Sequence, residues 1–150
     1  MDVKTDYTIG NLDVPFNPNL RGFLNIGYIT RKNKNKSRWM FDATVQMIGE
    51  QRLPQTRNNP EIHQRNDFSQ AYSTLNVQGT RMLGEDIEIY LGAENLFDFR
   101  QRDAIVSNAD PFGPYFDSNF AYAPVFGRNI YIGFRYTIPN EDQKGVKEGH

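Results

Sequence analysis

The 150-residue chain has the length of a single domain, and its 38% apolar and 23% charged residues carry a formal net charge of −1, which leaves no electrostatic footprint for nucleic acid or anionic lipid. Mean hydropathy is −0.67 and no apolar run approaches the ~18 residues of a membrane-spanning helix, whereas membrane-spanning strands, only half apolar, stay open. There is no cysteine, which excludes disulfide scaffolds, thiol catalysis and cysteine-ligated zinc, and two histidines, His63 and His150, leave little for metal chemistry.

The start, Met1-Asp2-Val3-Lys4, has no apolar stretch of the kind that opens a signal peptide. Aromatics reach 13%, with eight Tyr, eleven Phe and one Trp. Rings and β-branched residues favour pleated, half-buried surfaces, so the composition leans all-β.

Five segments then alternate with period 2, as strands with one dry and one wet face do. The first sets Leu20, Gly22, Leu24, Ile26 and Tyr28 against Arg21, Phe23, Asn25 and Gly27. The second sets Trp39, Phe41, Ala43, Val45 and Met47 against Arg38, Met40, Asp42, Thr44 and Gln46. In the third, Ala71, Ser73, Leu75, Val77 and Gly79 oppose Tyr72, Thr74, Asn76, Gln78 and Thr80. The fourth has Ile87, Ile89, Leu91 and Ala93 against Glu88, Tyr90, Gly92 and Glu94. The fifth has Ile130, Ile132, Phe134, Tyr136 and Ile138 against Asn129, Tyr131, Gly133, Arg135 and Thr137. No stretch follows the 3.6-residue period of a helix.

The connections alternate in length. Arg31–Ser37 and Leu83–Asp86 are short and polar, whereas Glu50–Asp67 and Asp98–Gly127 are long. In an up-and-down antiparallel meander of about five strands, this puts the short turns at one end and the long loops at the other. That asymmetry is the one found in outer-membrane barrels. Tyr28, Trp39 and Tyr136 fall at the short-turn end of apolar faces and Phe97 at the opposite end, the depths at which amphipathic rings gather in a membrane interface. A soluble β-sandwich or lipocalin-like barrel, with apolar interior faces, is the alternative that the same alternation allows.

Specific strings add to this pattern. They include Val14-Pro15-Phe16, Arg21-Gly22-Phe23, the run Trp39 to Gln46, and Gln51-Arg52-Leu53-Pro54. The run Glu88 to Phe97, the run Asp110 to Asp117 and the closing run Gly127 to Tyr136 follow. Together, from about Asp2 to Ile138, the chain resembles the C-terminal end of the barrel of a TonB-dependent outer-membrane receptor, most specifically in Gly92–Phe97 and Gly127–Tyr136.

The resemblance implies that residues 1–138 are the last part of a barrel of roughly 22 strands closed around a plug. It implies energised uptake of a scarce nutrient, such as a metal chelate, a glycan or a peptide, across the outer membrane of a Gram-negative bacterium. Implied partners are the remaining barrel strands and the plug domain, outer-membrane lipid, TonB through the absent plug region, and a surface lipoprotein, with no nucleic acid and no cofactor. Five such strands cannot close, so the chain reads as a fragment or as one polypeptide of a split receptor. Residues 139–150, polar and charged, read as a periplasmic extension or an artificial remnant.

Each candidate site has a plain counterpart. His63, Asp67 and Ser69 are the residue types of a nucleophilic triad, but they sit in one Asn- and Arg-rich loop with no strand to fix them, so no catalysis is expected. Asp103, Asp110 and Asp117 recur without the order of a calcium loop, so no metal is expected. Tyr115, Phe116, Phe120 and Tyr122 in the last long loop could grip a sugar or an apolar ligand, or fold over one another. Asp42, Glu88, Glu94 and Arg135, with Arg128, lie on the polar faces and would meet the plug or its waters. The basic turn from Arg31 to Lys36 reads as solvated. A soluble β-sheet ligand-binding module using the loop aromatics is the functional alternative, and an enzyme comes third.

Overall fold

The computed structural model describes residues 4–7 and 10–138; the tail expectation at 139–150 and the first three residues of the 1–138 segment lie outside the described residues. Among the described residues the chain is all-β apart from one helical turn, Glu61–His63. No described helix is long and apolar enough to cross a membrane.

Strands β3 (Arg21–Ile29), β4 (Arg38–Ile48), β5 (Tyr72–Leu83), β6 (Ile87–Glu94) and β7 (Asn129–Tyr136) form one antiparallel sheet in sequence order. These are the five alternating segments, shifted by no more than three residues at any end. A separate hairpin pairs β1 (Lys4–Tyr7) with β2 (Gly10–Asp13), from Lys4↔Asp13 to Tyr7↔Gly10. Strands of four residues are too short for a period to show, so alternation gave no sign of this hairpin.

Register decides whether the five alternations add up. Ile26, Ala43, Val77, Ala93 and Ile130 stand opposite one another in a single cross-strand row. The next row toward the short turns is Tyr28, Phe41, Gly79, Leu91 and Ile132. The row between them, on the other face, is Gly27, Asp42, Gln78, Gly92 and Tyr131. All five apolar faces therefore share one side of the sheet. A slip of one residue in any strand would have sent its apolar set to the other side.

Among the described residues nothing covers that apolar side. Ile26 is 60% exposed, Phe134 64% and Ile132 77%. Among the described residues the buried hydrophobics are Leu53, Ala93, Val106 and Phe120, and three of those four belong to the loops. Among the described residues strand contacts run only between hydrogen-bonded neighbours, so these residues put no second layer of strands on either face. Among the described residues strands β3 and β7 are open edges, each bonded along one side only.

The short ends are built from turn chemistry. The Asn33 side-chain carbonyl accepts the backbone N–H groups of Asn35 (3.0 Å) and Ser37 (2.9 Å). Gly84 takes φ +70°, a left-handed value that costs a side-chain-bearing residue strain, and its N–H reaches Ser37 Oγ at 3.2 Å. The two turns are also joined by Lys36 and Glu85, 3.0 Å apart.

Candidate functional site

Both long connections leave the same end of the sheet, and they pack on each other. Loop A (residues 49–71) follows β4, and loop B (residues 95–128) follows β6. Their shared core is Leu53 from loop A with Val106 and Phe120 from loop B, and Tyr122 packs against it. Gln51 Nε2 and the Tyr72 hydroxyl both donate to the Tyr122 carbonyl, at 3.4 and 3.1 Å. The His63 ring stacks on Tyr115 with centroids 5.1 Å apart.

The base of loop B is clasped by polar side chains. Asn95, left-handed at φ 48° and buried, donates from Nδ2 to the carbonyls of Phe99 (2.7 Å) and Phe126 (3.3 Å), joining the loop's outgoing and returning strands. Asp98, left-handed at φ 57°, accepts the Arg128 backbone N–H on Oδ1 at 2.8 Å. That hydrogen bond, with the nearby Arg100 and Arg128 charges, holds the Asp98 carboxyl below its ordinary range against a smaller upward push from desolvation. The Arg128 guanidinium donates twice to the Leu96 carbonyl, at 3.1 and 2.8 Å. Higher up, buried Gln101 donates to the Phe120 carbonyl (2.7 Å) and accepts from Tyr122 N (2.9 Å) and Ala123 N (3.2 Å). Loop B is thus held as a folded unit by groups that period counting passes over. Their signal was local: Asn and Asp tolerate left-handed backbone better than other residues with side chains.

The loop aromatics divide. Phe120 is 2% exposed, so its ring belongs to the loop core and is not free to meet a ligand. Tyr122 is half-buried against that core. Tyr115 and Phe116 keep exposed rings, and Phe112 is fully exposed.

His63, Asp67 and Ser69 have separate partners. His63 stacks on Tyr115, Asp67 forms an ion pair with Arg57 and holds that guanidinium's pKa above its usual value, and buried Ser69 accepts the Gln51 N–H on Oγ at 3.1 Å. No cluster of three His, Asp or Glu side chains suited to a metal occurs among the described residues. Asp117 accepts the Asn119 N–H at 2.8 Å, an ordinary turn contact.

On the polar face of the sheet, Arg135 pairs with Glu88 at 2.7 Å, and Asn129 Nδ2 reaches Glu94 Oε2 at 3.5 Å. Asp42 shares a shallow cleft of about 220 Å³ with Thr44, Asn76, Gln78 and Tyr131. Of the aromatics expected at a membrane interface, Tyr28, Trp39 and Tyr136 stand exposed on strands of the apolar side near the short turns, and Phe97 is exposed at the loop end. Trp39 stacks on Phe41 at 5.8 Å, and the Arg81 guanidinium lies 5.0 Å from its ring. Comparison of the chain with protein-family models, with curated proteins and with solved structures finds no match.

Proposed function

We propose that the chain is a length of wall from an outer-membrane β-barrel, with two outward-facing loops, of the kind that TonB-dependent receptors use for energised uptake of a scarce nutrient. The observation that carries this reading is the continuous apolar side of a single-layer sheet with two open edges. Such a side requires a partner phase, because each large apolar side chain left in water forgoes about 1.5–3 kcal/mol. A second layer would supply it in a sandwich, and the described residues contain none.

In this reading lipid covers the apolar side, further strands continue from β3 and β7, and a plug meets Asp42, Glu88, Glu94 and Arg135. The aromatics Tyr28, Trp39, Phe97 and Tyr136 sit at headgroup depth, where a ring is half apolar and half hydrogen-bonded. Arg81 beside Trp39 fits the same depth, its stem in the apolar zone and its charge toward the headgroups.

Sedimentation and circular dichroism with and without detergent test the proposal. The expected result is association in buffer, with β-structure and a monodisperse particle only in micelles. A monodisperse monomer in plain buffer with cooperative unfolding would leave a soluble β-sheet binding module instead.

A further inference from the structure

Two adjoining clefts open among the loops, of about 300 and 460 Å³. Both are lined by Arg65, Gln101, Arg102 and Asp103, and the smaller also by Arg100. Three guanidinium groups therefore meet one carboxylate. Arg100 is engaged by Asp98 at 3.3 Å. Arg65 donates only to backbone carbonyls, of Gln64 (3.1 Å) and Ile105 (3.3 Å), and its buried Nε has no acceptor. Among the described residues neither Arg65 nor Arg102 has a carboxylate partner.

A guanidinium bound only to neutral carbonyls, with no carboxylate beside it, is open to an anion, since charge-assisted pairs are the strong ones. The smaller cleft is also lined by exposed Phe68 and half-buried Tyr122, with buried Leu53 and Phe120 beneath them and the polar Asn66 and Gln70 beside them. We propose that this cleft binds a small soluble solute carrying a phosphate or carboxylate on an apolar body, with the anion on Arg65 and Arg102 and the body against Phe68 and Tyr122. This goes beyond the barrel-wall reading and is tested apart from it, because it concerns the loops and not the lipid-facing side.

The experiment is equilibrium dialysis of the full chain, folded in uncharged micelles, against phenyl phosphate, benzoate, phenol and inorganic phosphate. At least one of the two ring-bearing anions should bind, phenol and inorganic phosphate at least tenfold more weakly. Arg102→Ala, on an exposed side chain with no partner to lose, should weaken that binding at least tenfold, and Phe112→Ala, outside the cleft, should leave it unchanged. Vesicles of phosphatidylglycerol should fail to displace the bound anion. Binding of neither anion by chain with its β-spectrum intact, equal binding of phenol, indifference to Arg102→Ala, or displacement by the vesicles would overturn the proposal.

Discussion

Tyr131 on β7 lays its ring across Gly92 on β6, and its directly opposed neighbour pair does the reverse: Tyr90 on β6 lies across Gly133 on β7. A Cβ at either glycine would collide with the facing ring. The two rings meet edge to face with centroids 6.3 Å apart, and the Tyr131 hydroxyl continues to Gln78 Oε1 at 2.9 Å. The last two strands are therefore fitted together twice over on their polar side.

Gly92→Ala or Gly133→Ala should lift one ring out of its seat and cost about 1–3 kcal/mol, the usual penalty of overpacking. Tyr131→Phe keeps the seat and loses only the bond to Gln78, at about 1 kcal/mol. Urea unfolding in micelles, followed by circular dichroism, orders the three variants. A Gly92→Ala chain as stable as the unaltered one would show that the ring has room to move.

The two faces of the sheet should respond differently to charge. Leu24 and Val45 are directly opposed on the apolar side, and Asn25 and Thr44 are directly opposed on the polar side, joined by a 2.8 Å hydrogen bond. Arg at Leu24, Val45 or Ile132 should cost about 2–4 kcal/mol if the apolar side faces the middle of a bilayer, and Arg at Asn25 or Thr44 distinctly less. Folding of the variants into lipid vesicles, within a complete barrel, measures both. Equal costs on the two sides would mean that the apolar side is not lipid-facing.

The strands were legible because each carries its own alternation, and the parity of each segment already assigned Asp42, Glu88, Glu94 and Arg135 to one face. Short turns such as Leu83–Asp86 bring the parities of β3 with β4 and of β5 with β6 into agreement, and across the long loops β4 with β5 and β6 with β7 agree as well. The loops were legible only in length. Leu53, Val106 and Phe120 are far apart in sequence and follow no period, and nothing local marks them as one cluster. Phe120 and Tyr115 have the same kind of sequence surroundings, yet one is buried and the other exposed. The arginines of the loop clefts were hidden for the same reason, since Arg65 and Arg102 come from different loops.

The Asp98 clasp should make loop B sensitive to acid. Its folded pKa is lowered, first by the hydrogen bond from the Arg128 N–H. The clasp's contribution is therefore full above the unfolded value of about 3.9 and is lost as pH falls through the lower folded value. Amide exchange at Arg128, corrected for its intrinsic pH dependence, should stay slow at neutral pH and rise only below about pH 4. In Asp98→Ala it should be fast throughout. Exchange in the unaltered chain that does not change across this range would show that the carboxylate is not what holds the loop's base.

Loop order should depend on the loops' own core and not on their exposed rings. Phe120 is 2% exposed against Leu53 and Val106, and its backbone carbonyl is held by Gln101. Truncation to Ala would leave a cavity among Leu53, Val106 and Tyr122, and large aromatic-to-Ala changes in a core cost about 3–5 kcal/mol. Because the loop cluster meets the sheet only at its end, the loss should fall on the loops alone. Phe120→Ala should expose loops A and B to protease in micelles while the strand spectrum persists. Phe112→Ala removes a ring that touches only solvent and should leave the cleavage pattern unaltered. Loss of the strand spectrum in Phe120→Ala would mean that the loop core and the sheet fold as one unit, and unchanged protection would mean that the polar clasps at Asn95, Asp98 and Gln101 hold the loops without it.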